Sequence, residues 1–294
     1  MGNPIAHGVD QALRRARRGQ QPRPASTGVA WFYFIVATIS LSWLTAAAIG
    51  GPWFDADDPL PRRLLSAALY YAAVMGWPPV VGAWLARLVR DERKRTPAGV
   101  RLPRIGQVVV ALLLAIGLAV LSMLVARLFG DASDQAAAET IGSDAAIAIA
   151  GAVVVLVVQA FTEELGWRGF PLTCAVDRWG ERAGLIAHGL AWGVWYAPLF
   201  LVSSGTPSES IPIAAGFALT CLFLGVVFGW LRLWSGSVFP SMVANAVLTI
   251  VGGLPILALA GGGRDAVFRW PGWIVIGAVA LVLLIWRRRD LTRS

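Results

Sequence analysis

The sequence predicts an all-α fold, a polytopic membrane bundle of about eight transmembrane helices, and three observations carry that expectation. Of 294 residues, 57% are hydrophobic and only 14% charged, with a mean hydropathy of +0.66. A soluble domain has about 25% charged residues, so lipid rather than water is the expected solvent. Apolar runs recur along the chain at lengths that suit a bilayer core, which takes about 20 apolar residues per helix to cross. The basic residues, finally, gather in alternate connections between those runs.

Residues 1–30 are polar, rich in Arg, Gln and Pro, and read as a disordered basic tail. No small-residue cleavage site follows a short apolar core there, so no removable signal peptide is expected. Residues 31–286 are expected as one transmembrane domain, with helices at roughly 31–50, 64–86, 106–129, 145–165, 183–203, 211–231, 238–260 and 271–286. Trp77-Pro78-Pro79 and Leu254-Pro255 lie inside these runs and would break a soluble helix. In a bundle, neighbouring helices can satisfy the freed backbone groups. Residues 287–294 form a second basic tail. Cys174 and Cys221 are far apart in mostly apolar surroundings and make no disulfide framework.

The net charge of +8 comes from 24 Arg and one Lys. Twenty of these 25 fall on one side of the helix scheme, in the two tails and the segments 87–104, 168–182 and at Arg232. Arg62, Arg63, Arg264 and Arg269 fall on the other, and Arg127 lies near a helix end. That bias, with Asp55, Asp57, Asp58, Asp131, Asp134, Glu139 and Asp144 on the basic-poor side, places both termini in the cytoplasm by the positive-inside rule. Topology accounts for the Arg runs, with attraction to anionic membrane lipids as a secondary effect. No stacking aromatics or recognition fold accompany them, so nucleic acid is not an expected partner.

One ionisable cluster adjoins the apolar core. Phe161-Thr162-Glu163-Glu164-Leu165-Gly166-Trp167-Arg168-Gly169-Phe170 follows the run Ala145–Ala160. Ionisable groups within a membrane helix cost a few kcal/mol each on insertion scales, about 3 for an acid or base at the centre, and persist where they face a bundle interior with a partner or a task. Glu164 and Arg168 are spaced i,i+4 with the acid first, the favourable order for a helical ion pair. Glu163 is left without a local cation and lies about 100° around the helix from Glu164, so the two carboxylates can face different surroundings. A desolvated carboxylate without its own counter-ion suits a group that takes a proton from water. On pairing physics alone, a polar helix end neutralised at the membrane interface explains the cluster equally well.

Glu-Glu-x-x-x-Arg at the end of a membrane helix resembles the first motif of the CPBP family, the CAAX-processing and bacteriocin-processing intramembrane glutamic proteases related to the prenyl-protein endopeptidases. Trp192-Gly193-Val194-Trp195-Tyr196-Ala197-Pro198 resembles the second motif, aromatic-x-x-x-His followed by Pro. The run Gly236–Asn245 resembles the lead-in to the later His-x-x-x-Asn motif. Order and separation agree over residues 145–250, which makes 145–260 the protease-like core. Both family histidines are replaced: Tyr196 stands at the first, Asn245 at the second, and Thr249 at the usual Asn. In family members the first Glu and the second-motif His activate water, while the later His and Asn hold the oxyanion. The resemblance therefore implies Glu163 as base, Glu164 and Arg168 as its supports, Tyr196 as an altered partner, and Asn245 with Thr249 as altered oxyanion donors.

Asn245 can donate an amide hydrogen and Thr249 a hydroxyl, so an oxyanion hole can survive the replacement. A phenol orients water or donates a hydrogen bond but does not shuttle protons near neutral pH as imidazole does. His188 lies eight residues before Tyr196, about 12 Å along a helix axis, too far for direct replacement. It reads either as an ordinary hydrogen-bonded or interfacial histidine or as a member of the polar cavity. His7, in the tail, has no evident function.

No cofactor or metal is expected. His-Glu-x-x-His is absent, Ser203, Ser204 and Ser237 lack an identifiable base, and Gly262-Gly263-Arg264-Asp265 has Arg where a Gly-x-Gly-Asp motif needs Gly. No glycine-rich phosphate loop precedes a helix. The fourteen Trp read as interfacial anchors and packing groups.

The expected function is a membrane endopeptidase of the bacterial plasma membrane, acting by glutamate-activated water on a membrane-anchored polypeptide, a prenylated C-terminus or a leader peptide. The alternatives are a non-catalytic relative with an immunity or scaffold role, and a small transporter with Glu163, Glu164 and Arg168 on its pathway. No inverted repeat or paired broken helices favour the transporter. The topology is checked by reporter fusions after Arg90 and after Gly205, which are expected to report cytoplasm and exterior respectively.

Overall fold

A computed structural model describes residues 24–50, 58–89, 99–129, 143–197, 199–200, 207–253 and 267–286. Among them every regular element is helical. These are α1 (Pro24–Ile49), α2 (Leu60–Met75), α3 (Pro78–Val89), α4 (Ile105–Leu128), α5 (Ser143–Trp167), α6 (Phe170–Trp179), α7 (Glu181–Trp195), α8 (Pro207–Ser235), α9 (Phe239–Leu248) with a π-turn over Thr249–Gly253, and α10 (Trp270–Trp286). The all-α polytopic bundle stands. Among the described residues five segments are long and apolar enough to cross a bilayer: Thr27–Ile49, Leu60–Val89, Ile105–Leu128, Ala146–Trp179 and Ser210–Ser235. The other three expected spans appear in shorter form, as α7, as Phe239–Val251 and as Trp270–Trp286.

Two boundaries differ from the sequence reading. The first helix starts at Pro24, inside the segment expected as tail, because Pro suits the first helical turn and Thr27 and Ala30 are buried. Gly28 lies against the side chain of Arg178 on α6. The run 64–86 is two helices rather than one: Gly76 closes α2 on the Ala72 carbonyl, and Pro78 and Pro79 open α3, where their missing N–H groups leave no gap. The tails 1–23 and 287–294, the Leu254-Pro255 step and Pro198 lie outside the described residues.

Glycines and prolines set the close crossings that place the site. A Cβ on Gly166 would fall 2.4 Å from the Pro79 side chain, so the end of α5 meets the start of α3 backbone to backbone. A Cβ on Gly225 of α8 would fall 2.4 Å from the Gly189 Cα of α7, and one on Gly193 2.7 Å from the Ala218 Cα. The resulting small-residue seam lets two helices approach more closely than larger side chains would allow. Gly180, at φ +78°, ends α6 with its N–H on the Val176 carbonyl, and α7 begins at the next residue. Beneath the site, Trp167 is packed by Phe34 at 4.8 Å, Trp195 at 5.4 Å and His188 at 5.3 Å between ring centroids. Trp195 donates its indole N–H to the Ser42 hydroxyl of α1 at 2.6 Å. Leu113, Val154 and Leu281 are more than half exposed, as expected of lipid-facing positions.

The seam generates a stability prediction. Gly225→Ala is expected to lower the thermal midpoint in detergent, read by the intrinsic fluorescence of the fourteen Trp, because overpacking costs about 1–3 kcal/mol. Gly117→Ala, where a Cβ meets nothing within 4 Å, is expected to leave the midpoint unchanged.

Candidate functional site

Glu163 and Glu164 occupy the penultimate turn of α5 and are both fully buried, as is Arg168 just beyond the helix end. The 100° rotation between adjacent helical residues turns the two carboxylates to different neighbours. Each has its own set of donors.

Glu163 faces α7. Its Oε1 accepts from the Trp192 indole N–H and, at 2.8 Å, from the Tyr196 hydroxyl. Its Oε2 accepts from Gln159 Nε2 at 2.6 Å, one turn back on α5. The Tyr196 oxygen lies 2.6 Å from the Tyr71 hydroxyl of α2, with the two rings nearly parallel. Since the single Tyr196 proton is committed to Glu163, Tyr71 is the donor in that pair. A carboxylate has about four acceptor positions, and three of those of Glu163 are filled. The open one is on Oε2.

Glu164 faces α9. Its Oε1 accepts from Arg168 Nη1 at 2.8 Å, the ion pair expected from the i,i+4 spacing, and from Asn245 Nδ2 at 2.9 Å. Thr249 donates its hydroxyl to Asn245 Oδ1 at 3.1 Å, across the start of the π-turn. The two sets join through Trp192, whose N–H reaches Glu163 while its ring face carries the Arg168 guanidinium, Cζ to centroid 3.9 Å.

All six residues singled out in the sequence therefore fall in one cluster, buried except for the half-buried Thr249, with a division the sequence did not reveal. Tyr196 belongs to Glu163, while Asn245 and Thr249 belong to Glu164. Thr249 departs from its expected place as a free oxyanion donor: its one hydroxyl hydrogen is directed at Asn245, so it orients that amide. Asn245 keeps a second amide hydrogen beyond the one given to Glu164.

His188 lies inside the bundle. It is fully buried with its ring against Trp167, and neither ring nitrogen has a hydrogen-bond partner among the described residues. The sequence reading also missed Gln159, Trp192 and Tyr71. Gln159 carried a signal, as the one polar residue within Ala145–Ala160, four positions before Glu163. Trp192 sits one turn before Tyr196 on the same face. Tyr71 is 125 positions from its partner, and only folding brings it there. Among the described residues no group of three or more His, Cys, Asp or Glu converges as metal ligands would.

Residues 145–251 match the family described as Type II CAAX prenyl endopeptidase Rce1-like. A stretch of 82 residues is 32% identical to the CAAX prenyl protease 2 of Methanococcus maripaludis, covering 26% of this chain and 30% of that protein. The chain thus spans about a third of the length of the curated relative it matches. The matched region runs from the start of α5 into the π-turn after α9 and contains both carboxylates with every donor described above except Tyr71. With its apolar helices, this is an integral membrane protein whose segment 145–251 is similar to the Rce1-like endopeptidases.

Proposed function

We propose that this protein is an intramembrane endopeptidase in which Glu163 activates water, using neither metal nor cofactor. The observation that carries the reading is the hydrogen-bond set of Glu163. Trp192, Tyr196 and Gln159 fix the carboxylate in a buried site and leave one acceptor position on Oε2, where a water can donate. Water then attacks the scissile carbonyl carbon while its proton passes to Glu163. Collapse of the tetrahedral intermediate breaks the C–N bond, and Glu163 returns the proton to the leaving amine. The second amide hydrogen of Asn245 is the nearest candidate donor to the oxyanion, held in place by Thr249 and Glu164. Substrates on this reading are membrane-associated polypeptides, either a lipid-modified C-terminus or a leader peptide, and the active face is the cytoplasmic one.

A specific observation favours a second reading, a non-catalytic relative that keeps the cavity for binding. Tyr196 directs its hydrogen at Glu163, and Thr249 directs its own at Asn245, so two replacements at family positions satisfy neighbouring side chains.

Cleavage of a membrane-tethered peptide library by purified protein in detergent separates the two. The enzyme reading expects turnover that resists chelators and falls about 100-fold or more in Glu163→Gln, in line with general-base contributions of about 10²–10⁴. Tyr196→His is expected to raise the rate about tenfold or more, since imidazole adds proton transfer near neutral pH. An inert wild type together with Glu163-dependent cleavage in Tyr196→His establishes the non-catalytic reading instead. Proton-coupled solute uptake in liposomes that vanishes in Glu163→Gln overturns both.

A further inference from the structure

The turn between α8 and α9 is tied to the segment that leads into α4. Val238 donates its N–H to the Gly99 carbonyl at 2.9 Å, and the Ser237 hydroxyl donates to the Arg101 carbonyl at 2.7 Å. Two arginines cross this junction in opposite directions. Arg101 donates Nη2 to the Ser235 carbonyl at 2.9 Å, and Arg232 donates Nε to the Arg168 carbonyl at 3.0 Å. Each guanidinium lies on a glycine with positive φ. A Cβ on Gly99, at φ +90°, would fall 2.5 Å from Arg232 Cζ, and one on Gly236, at φ +66°, 1.9 Å from Arg101 Nη2. Only glycine leaves room for both charges here.

Both arginines hydrogen-bond to main-chain carbonyls, and among the described residues neither meets a carboxylate. Arg232 is 6% exposed. Arg101 is exposed beside it, and a buried guanidinium next to a second one without an acid is costly unless an anion joins them. The remaining N–H groups of the two forks suit the several oxygens of a phosphate. The surroundings indicate what carries the phosphate. Leu102 and Ile105, flanking the junction, are 91% and 83% exposed. At the same end of the bundle Trp234 stacks on Trp230 at 5.2 Å, and Trp286 lies beyond. Exposed aliphatic and Trp side chains beside basic groups mark the level of lipid headgroups.

We infer that Arg101 and Arg232 form a binding site for a phosphate-bearing anion, with a phospholipid headgroup as its carrier. The site is outside the carboxylate cluster and independent of whether the protein cleaves peptides. Arg232 nevertheless holds the main chain of Arg168, so an occupied site braces the end of the helix that carries both carboxylates.

The test uses the full chain in nanodiscs of phosphatidylcholine with a minor share of phosphatidylglycerol, with retained lipid counted by native mass spectrometry. Wild type is expected to retain phosphatidylglycerol about tenfold over its share, from the charge preference of a basic site at the membrane surface. Arg101→Gln, an exposed position, is expected to abolish that enrichment, and Arg232→Lys to reduce it. Arg62→Gln is the control for general surface charge. Leu65, close to Arg62 on α2, packs on Gly151, 17 residues or about 25 Å of helix from Arg168. Equal enrichment in wild type and Arg101→Gln overturns the site. Arg101-dependent binding of inorganic phosphate without lipid enrichment overturns the lipid assignment and makes a soluble phosphate the ligand.

Discussion

Two carboxylates adjacent in sequence are buried in the same apolar bundle, and the arrangement depends on their not sharing neighbours. Side by side in one environment, two anions repel and neither is well solvated. The helix separates them by rotation alone, and the separation persists because α7 and α9 arrive on different faces of α5 with different donors. Glu164 receives a full positive charge and an amide. Glu163 receives neutral N–H and O–H donors, with the cation one indole ring away. Removing one partner from a buried ion pair typically costs about 3–5 kcal/mol, because the other charge is left uncompensated. Arg168 therefore supports the fold first, and any chemistry at Glu163 relies on that support.

Much of the fold was legible because lipid imposes a simple rule on composition. Apolar runs of the right length in one solvent become helices whatever their partners, and α4 matches the run 106–129 almost residue for residue. The misread positions had local causes. Pro24 and the small residues after it look like tail chemistry, but the helix they open lies against α6 at Gly28. The Trp77-Pro78-Pro79 step is tolerable within a span in principle, yet two consecutive residues without N–H groups at a crossing with Gly166 end one helix and begin another.

The site was legible to the extent that its chemistry is local. The i,i+4 pair of Glu164 and Arg168 follows from helix geometry and is found as such. The motif spacing gathered Tyr196, Asn245 and Thr249 near the carboxylates, but no spacing says which carboxylate each one meets. That depends on the relative rotation of three helices, which is set by glycine contacts such as Gly189 against Gly225. His188 shows the same limit. Its helical face was readable, while its burial against Trp167 depends on a helix 21 positions earlier in the chain.

Tyr71 has a consequence for how this architecture diversifies. The region matched to known relatives ends at α5 on its N-terminal side, and the hydroxyl that caps Tyr196 is supplied from α2, beyond that homology. The Tyr196 oxygen thus takes its companion from a part of the chain outside that match. A chimera grafting residues 145–251 onto another N-terminal half would carry Tyr196 without the Tyr71 hydroxyl, and would lose with it the Trp195–Ser42 hydrogen bond and the Trp167–Phe34 ring contact.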